Sequence, residues 1–222
     1  MSDALLHDSS EAGAELQPVT ATSAPAATMS DWRTALPVLT SRRLTLREPR
    51  VGDAAPLLAM LGTEEVARFI SPPPTTVDGF ARFIQRATRQ REAGTSFCFV
   101  TVPDGQSEPV GLLQVRQLEP GWATAECGIA VGSPHWGTGL FPAAAATVLD
   151  FAFEKVGVHR LEARAAAPNG RGNGALAKLG AVREGTLRRS FLKDGRYHDQ
   201  VLWSLVREDW MQRKAVWSVT VH

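Results

Sequence analysis

The feature that most constrains this chain is the run His135-Trp136-Gly137-Thr138-Gly139-Leu140-Phe141-Pro142, where a strand hands over to a helix. Before it, Ala125-Glu126-Cys127-Gly128-Ile129-Ala130-Val131 reads as a largely apolar strand. After it, residues 141–156 read as an Ala-rich helix with Pro142 early in its first turn, where a missing N–H is tolerated. A turn rich in glycine that feeds a helix N-terminus presents several backbone N–H groups without an intrahelical partner. That arrangement is either an ordinary connection using Gly for positive φ or a seat for phosphate.

The rest of the chain alternates. Arg43-Leu44-Thr45-Leu46-Arg47 has the period-two pattern of a strand, and Asp53 stands where it caps a helix over 54–61. Ser71-Pro72-Pro73-Pro74 is a loop that no helix crosses. A second helix is expected over 76–93, with Val77, Phe80, Ile84 and Ala87 on its apolar face and Gly94 ending it. On that helix Arg82, Arg86 and Arg89 share one face, either solvated or attractive to an acidic peptide or RNA. Strands follow at 97–102 and 110–117 around Asp104-Gly105, then at 159–165. A helix over 172–179 stops at Gly180, and a last pair of strands, 184–191 and 200–205, meets at Asp194-Gly195. Hairpins demand antiparallel pairing and the helices between strands demand a parallel crossover. A mixed sheet with helices on both faces meets both demands.

Length and composition narrow the classes. The 222 residues suit one domain with an appendage: a tail at 1–35, a domain at 36–212 and a short tail at 213–222. The first thirty residues are rich in Ala, Ser, Thr and Pro and contain no aromatic residue, so they bury too little to offset their ordering entropy. A net charge of +1 gives no global reason to expect DNA or a membrane surface as partner. Cys98 and Cys127 lack metal-ligand spacing, so no metal is expected, and a reduced cytoplasmic setting, as monomer or homodimer, is the simpler reading.

Four stretches together resemble the GNAT superfamily of N-acetyltransferases, in the branch of RimJ/RimL-type ribosomal-protein N-terminal acetyltransferases. They are the strand opening Thr40-Ser41-Arg42-Arg43-Leu44-Thr45-Leu46-Arg47; Ala125-Glu126-Cys127-Gly128-Ile129; the loop Trp136-Gly137-Thr138-Gly139; and Asn169-Gly170-Arg171-Gly172-Asn173 leading to Lys178-Leu179-Gly180-Ala181. They span about residues 39–210 in the family's order. The resemblance implies a single α/β GNAT-like domain with a mixed, mostly antiparallel sheet of six to seven strands. It also implies transfer of an acetyl group from acetyl-CoA, without an acyl-enzyme, to a primary amine on a protein N-terminus or a small molecule.

The same resemblance implies roles for particular residues. Trp136, Gly137, Thr138, Gly139 and Leu140 would hold the cofactor's diphosphate through backbone N–H groups. Ile129, Ala130 and Val131 would bulge and splay from the next strand and bind the pantetheine arm, and Asn169 and Asn173 would add contacts to it. Glu126 is the candidate general base, because only a neutral amine attacks; the competing reading is a cross-strand partner for Arg or Lys. Tyr197 and His198 are candidates for the acceptor side, against a plain aromatic cross-strand contact, and Arg171 meets either a phosphate or solvent. Two departures stand out: Trp136 occupies a position usually held by Arg or Gln, and Leu176 stands where many members carry a proton-donating Tyr. The second keeps open a non-catalytic CoA-binding module. A dinucleotide-binding fold expects its glycine loop after the first strand, with a third glycine that is missing here.

Overall fold

The computed structural model describes residues 31–219. Its elements in chain order are β1 (Leu39–Thr40), β2 (Leu44–Arg47), α1 (Ala54–Leu61), α2 (Glu64–Ala67), α3 (Val77–Glu92), β3 (Ser96–Pro103), β4 (Gly111–Gln117), β5 (Thr124–Val131), α4 (Leu140–Phe151), β6 (Arg160–Ala166), α5 (Gly170–Leu179), β7 (Val182–Lys193), β8 (Arg196–Val206) and α6 (Arg207–Val219). The strands form one sheet in the order β1-β2-β3-β4-β5-β6-β8-β7. It holds eight strands, not the expected six to seven; the added β1 is two residues long, too short to show any periodicity. All neighbours are antiparallel except β5 and β6, which run parallel because α4 carries the chain across.

Period-two alternation sorts side chains onto the two faces. On one face Phe97, Phe99, Leu113 and Val115 pack with Ala144, Ala145, Val148 and Leu149 of α4. On the other, Val100, Val102, Leu112 and Ala130 pack with Leu57, Phe80 and Ile84 of α1 and α3. Phe80 and Ile84 are almost wholly buried, and each such side chain contributes about 1.5–3 kcal/mol. Thr76 caps α3 by accepting from the Gly79 N–H at 3.0 Å. Val77, expected on the apolar face of α3, is the first residue of that helix and is exposed instead.

Both ends of the domain differ from expectation. Trp32 packs edge-on against Phe97 and Trp122, so core contacts begin before residue 36. Helix α6 runs past residue 212, anchored by buried Trp210, whose indole N–H donates to Asp150 at 2.9 Å. The tail expected at 1–30 lies outside the described residues. Helix α4 ends in a π-helical turn, Ala152–Val156, closed by Gly157 in the left-handed region.

Candidate active site

The parallel pair at the centre of the sheet comes apart. β5 and β6 are in register only at Thr124↔Arg160, Ala125↔Leu161 and Glu126↔Glu162. Beyond that point β6 stays paired with β8 as far as Ala166, while β5 stays paired with β4 as far as Val131. The pairing with β4 is unbroken from Ala125 to Val131, so the expected bulge is missing there and the opening comes from the divergence of β6 alone. From Cys127 onward the β6-facing edge of β5 therefore has no strand beside it. A cleft of about 810 Å³ fills the gap, with Gly128, Ile129 and Ala130 on one side and Ala163, Arg164 and Ala165 on the other.

At the end of β5 the chain enters the glycine loop. Gly137 (φ +77°) and Gly139 (φ +83°) both sit in the left-handed region, which explains the glycines at these two places. Gly139 is the N-cap of α4 and brings no side chain to cap it. Among the described residues the N–H groups of Gly137, Thr138, Gly139 and Phe141 have no hydrogen-bond partner, and that of Leu140 has only the Thr138 hydroxyl at 3.4 Å. The positive end of the helix dipole adds to these free donors. Two cations flank them: Arg43 donates to the Thr138 carbonyl at 3.1 Å, and Arg171 lies 3.6 Å from the centroid of the Trp136 ring. Trp136 in turn donates its indole N–H to the Val131 carbonyl at 2.8 Å. The indole that replaces the usual Arg or Gln thus braces the loop and seats a guanidinium beside it.

Helices α4 and α5 form the wall of the cleft on this face, through Phe141, Ala145, Leu149, Asn169, Gly172 and Leu176. Asn169 caps α5, accepting from the Gly172 N–H at 2.9 Å, and still lines the cleft. Asn173 does not line it. Its amide donates to the carbonyls of Ala166 (3.0 Å) and Asn169 (2.8 Å) and accepts from the Trp203 indole (2.9 Å), tying α5 to β6 and β8. Leu176 lines the cleft where the resemblance expects Tyr, and it brings no proton donor.

Glu126 points to the opposite face, where it reaches the cleft between two arginines. Arg116, directly across β4 in register, holds Oε2 in close contact, and Arg164 of β6 approaches Oε1 at 3.5 Å. Arg164 also approaches Glu162, which pairs with Arg160, which makes a bidentate pair with Glu184. The result is a ladder of alternating charge across β4, β5, β6 and β7. Glu184 lies at its end, where the Arg160 guanidinium and then the Ser204 hydroxyl hold its carboxyl down at about 2. Cys127, beside Glu126, is pushed up to about 12 by burial and then by the Glu126 charge, so it carries no thiolate at neutral pH.

The structure brings Glu126, Ile129, Ala130 and Asn169 to the cleft and sets the loop from Trp136 to Leu140 at the head of α4. It leaves Tyr197 and His198 outside. Tyr197 is 64% exposed near the tip of the β7–β8 hairpin, and His198 lies tilted against Phe191, which lines the cleft in its place. Sequence reasoning missed Arg116 and Arg164, and for Arg86 it weighed a solvated helix face against an acidic peptide or RNA partner, whereas Arg86 lines the cleft. Period two from Glu162 to Arg164, and the hairpin register that sets Arg116 against Glu126, were the available signals.

The cleft fits acetyl-CoA on structural grounds: free amides for a diphosphate, an open strand edge for an extended arm, and an apolar wall beside both. Comparison with known proteins agrees. A family model described as an acetyltransferase (GNAT) domain matches residues 43–182. An uncharacterized N-acetyltransferase of Bacillus licheniformis is 27% identical over 173 residues, 78% of this chain and 97% of that protein. The [ribosomal protein uS5]-alanine N-acetyltransferase of Escherichia coli is 27% identical over 118 residues, 53% of this chain and 61% of that protein. Among solved structures, Mycobacterium smegmatis RimJ in complex with CoA-disulfide superposes with a TM-score of 0.71 at 26% identity, over 78% of this chain and 88% of that one. No helix among the described residues is long and apolar enough to cross a membrane. With its glycine loop, parted strands and family match, the chain belongs to the GNAT acetyltransferases, the acyltransferases that draw their acetyl group from acetyl-CoA.

Proposed function

We propose that this protein moves an acetyl group directly from acetyl-CoA to a primary amine that enters over the Glu126 face of the sheet. The observation that carries this reading is the parting of β5 from β6 beside a loop of unpartnered amides. Gly137, Thr138, Gly139 and Leu140 hold the diphosphate through their N–H groups, with Trp136 bracing the turn. The free backbone edge at Ile129, Ala130 and Val131 takes the pantetheine arm as a strand takes a neighbour, and one of its N–H groups stabilises the developing oxyanion. Asn169 has its carbonyl oxygen engaged by the helix and keeps its NH2 group for the arm. Acetyl-CoA supplies the activated acyl group as a thioester.

Glu126 accepts the proton that the ammonium must lose, directly or through water. The flanking guanidiniums of Arg116 and Arg164 fix its position in the cleft. Neither cysteine suits a covalent route, since burial holds both Cys98 and Cys127 near 12. The acceptor is the amine of a protein N-terminus or of a small molecule, and we infer a cytoplasmic monomer or homodimer as the working form.

Thiol release from acetyl-CoA with an amine panel tests the proposal. Glu126→Gln is expected to lower kcat by about a hundredfold, leaving coenzyme A affinity unchanged. Binding of coenzyme A without turnover on any amine would refute an enzyme and leave a cofactor-binding module.

A further inference from the structure

The acceptor side of the cleft is unequally charged. Among the described residues its charged lining consists of Arg86, Arg116, Arg164 and Glu126, three cations against one anion. Arg116 and Arg164 each take one oxygen of the Glu126 carboxylate, and Arg164 is shared with Glu162 at 3.6 Å. Arg86, on α3, lies against the Phe83 ring and has no acidic partner among the described residues. The side chains of Arg116 and Arg164 remain 55% and 37% exposed, so both have donors to offer a ligand. Phe69, Phe83 and Phe191 give the same space an apolar wall.

This charge pattern sorts the possible amines. A polyamine brings a second ammonium that finds no second carboxylate in the lining and meets guanidiniums instead, a like-charge encounter. A peptide N-terminus carries a neutral amide next to its amine and leaves the guanidiniums to water. A free α-amino acid carries a carboxylate on the carbon that bears the amine. When its ammonium rests on Glu126, its carboxylate falls within reach of the guanidiniums that already bracket Glu126.

We propose that the acceptor is a free α-amino acid with an apolar side chain, its ammonium on Glu126, its carboxylate on Arg116 and Arg164, and its side chain against the phenylalanines; this rests on the acetyl-transfer reading above. In the step, a bond from the amine nitrogen to the acetyl carbonyl carbon replaces the thioester carbon–sulfur bond. Of the two ammonium protons lost, one leaves through Glu126 to solvent and the other goes to the departing sulfur, which leaves as the thiol.

The experiment is thiol release from acetyl-CoA with leucine, phenylalanine and methionine, with the amide of each, with spermidine, and with a short peptide. The free acids are expected to exceed their amides in kcat/KM by roughly tenfold or more, the yield of a charge-assisted hydrogen bond. Arg164→Met is expected to lower turnover of acids and amides alike, since it also loosens Glu126, and in addition to erase the ratio of acid to amide in kcat/KM; Arg164→Lys is expected to restore part of that ratio. Arg116→Met, at a side chain 55% exposed, gives a second reading if Arg164→Met unfolds, and is expected to narrow the same acid-to-amide ratio. Amides equal to acids, or spermidine or peptide as the better acceptor, would overturn this inference and leave acetyl transfer standing. No turnover with any amine, with coenzyme A still bound, would overturn both.

Discussion

Asn173→Ala separates a residue that holds the fold from one that holds the cofactor. The Asn173 side chain makes three good hydrogen bonds, at 2.8, 2.9 and 3.0 Å, to Asn169, Trp203 and Ala166. Each contributes about 0.5–1.5 kcal/mol net. Trp203 is 9% exposed, so its indole N–H is left without a partner, whereas the exposed rim of α5 lets water replace part of the rest. The sum is about 2 kcal/mol, which in a domain of this size lowers Tm by roughly 4–8 °C. Thermal unfolding followed by circular dichroism measures the shift, and calorimetric titration measures coenzyme A affinity on the same samples. Asn173→Asp keeps an acceptor for Trp203 but turns a carboxylate oxygen toward the Ala166 and Asn169 carbonyls, so it should be no more stable than Asn173→Ala. A Tm within 1 °C of wild type, with affinity weakened by about tenfold, would refute the reasoning and return Asn173 to the cofactor site.

Other perturbations follow from the same geometry. Gly139→Ala forces a side chain into the left-handed region at a cost of about 1–2 kcal/mol and sets its Cβ 3.1 Å from the Arg43 guanidinium, so coenzyme A affinity should fall more than with Gly137→Ala, whose Cβ meets nothing within 4 Å. The Glu184 carboxyl lies at about 2 in the fold against 4.5 as its ordinary value, so the pair with Arg160 stabilises fully above pH 4.5 and is lost as pH falls toward 2. Because Glu184 is about one-third exposed, that contribution is discounted to about 1 kcal/mol, and the stability gap to Glu184→Gln, measured by urea unfolding, should close over that window.

Most of the secondary structure was legible because local signals agreed. The helix expected over 76–93 is the observed Val77–Glu92 with its two caps, and Asp104-Gly105 and Asp194-Gly195 mark the observed hairpin turns. Elements without a repeat to read escaped. β1 is two residues, and α2 is a single turn announced only by the cap Thr63 and the acidic Glu64 and Glu65. The glycine loop was legible because positive φ narrows the choice of residue. The roles of Asn173, Tyr197 and His198 were not, because Asn serves equally as helix staple and ligand, and the two hairpin residues depend on a strand register that no local pattern fixes. Glu126 stands where the two readings overlap, lining the cleft and paired across the sheet, so position alone does not choose between them.

If the free amides of the loop seat the diphosphate of acetyl-CoA, its binding must move their resonances. Amide chemical shifts of Gly137, Thr138, Gly139 and Phe141, followed by NMR during titration with coenzyme A and separately with pantetheine, test it most directly. Large, saturable shifts at these four amides with coenzyme A, and only small ones with pantetheine, are predicted. Amides that stay unmoved while coenzyme A binds elsewhere on the protein would contradict the account.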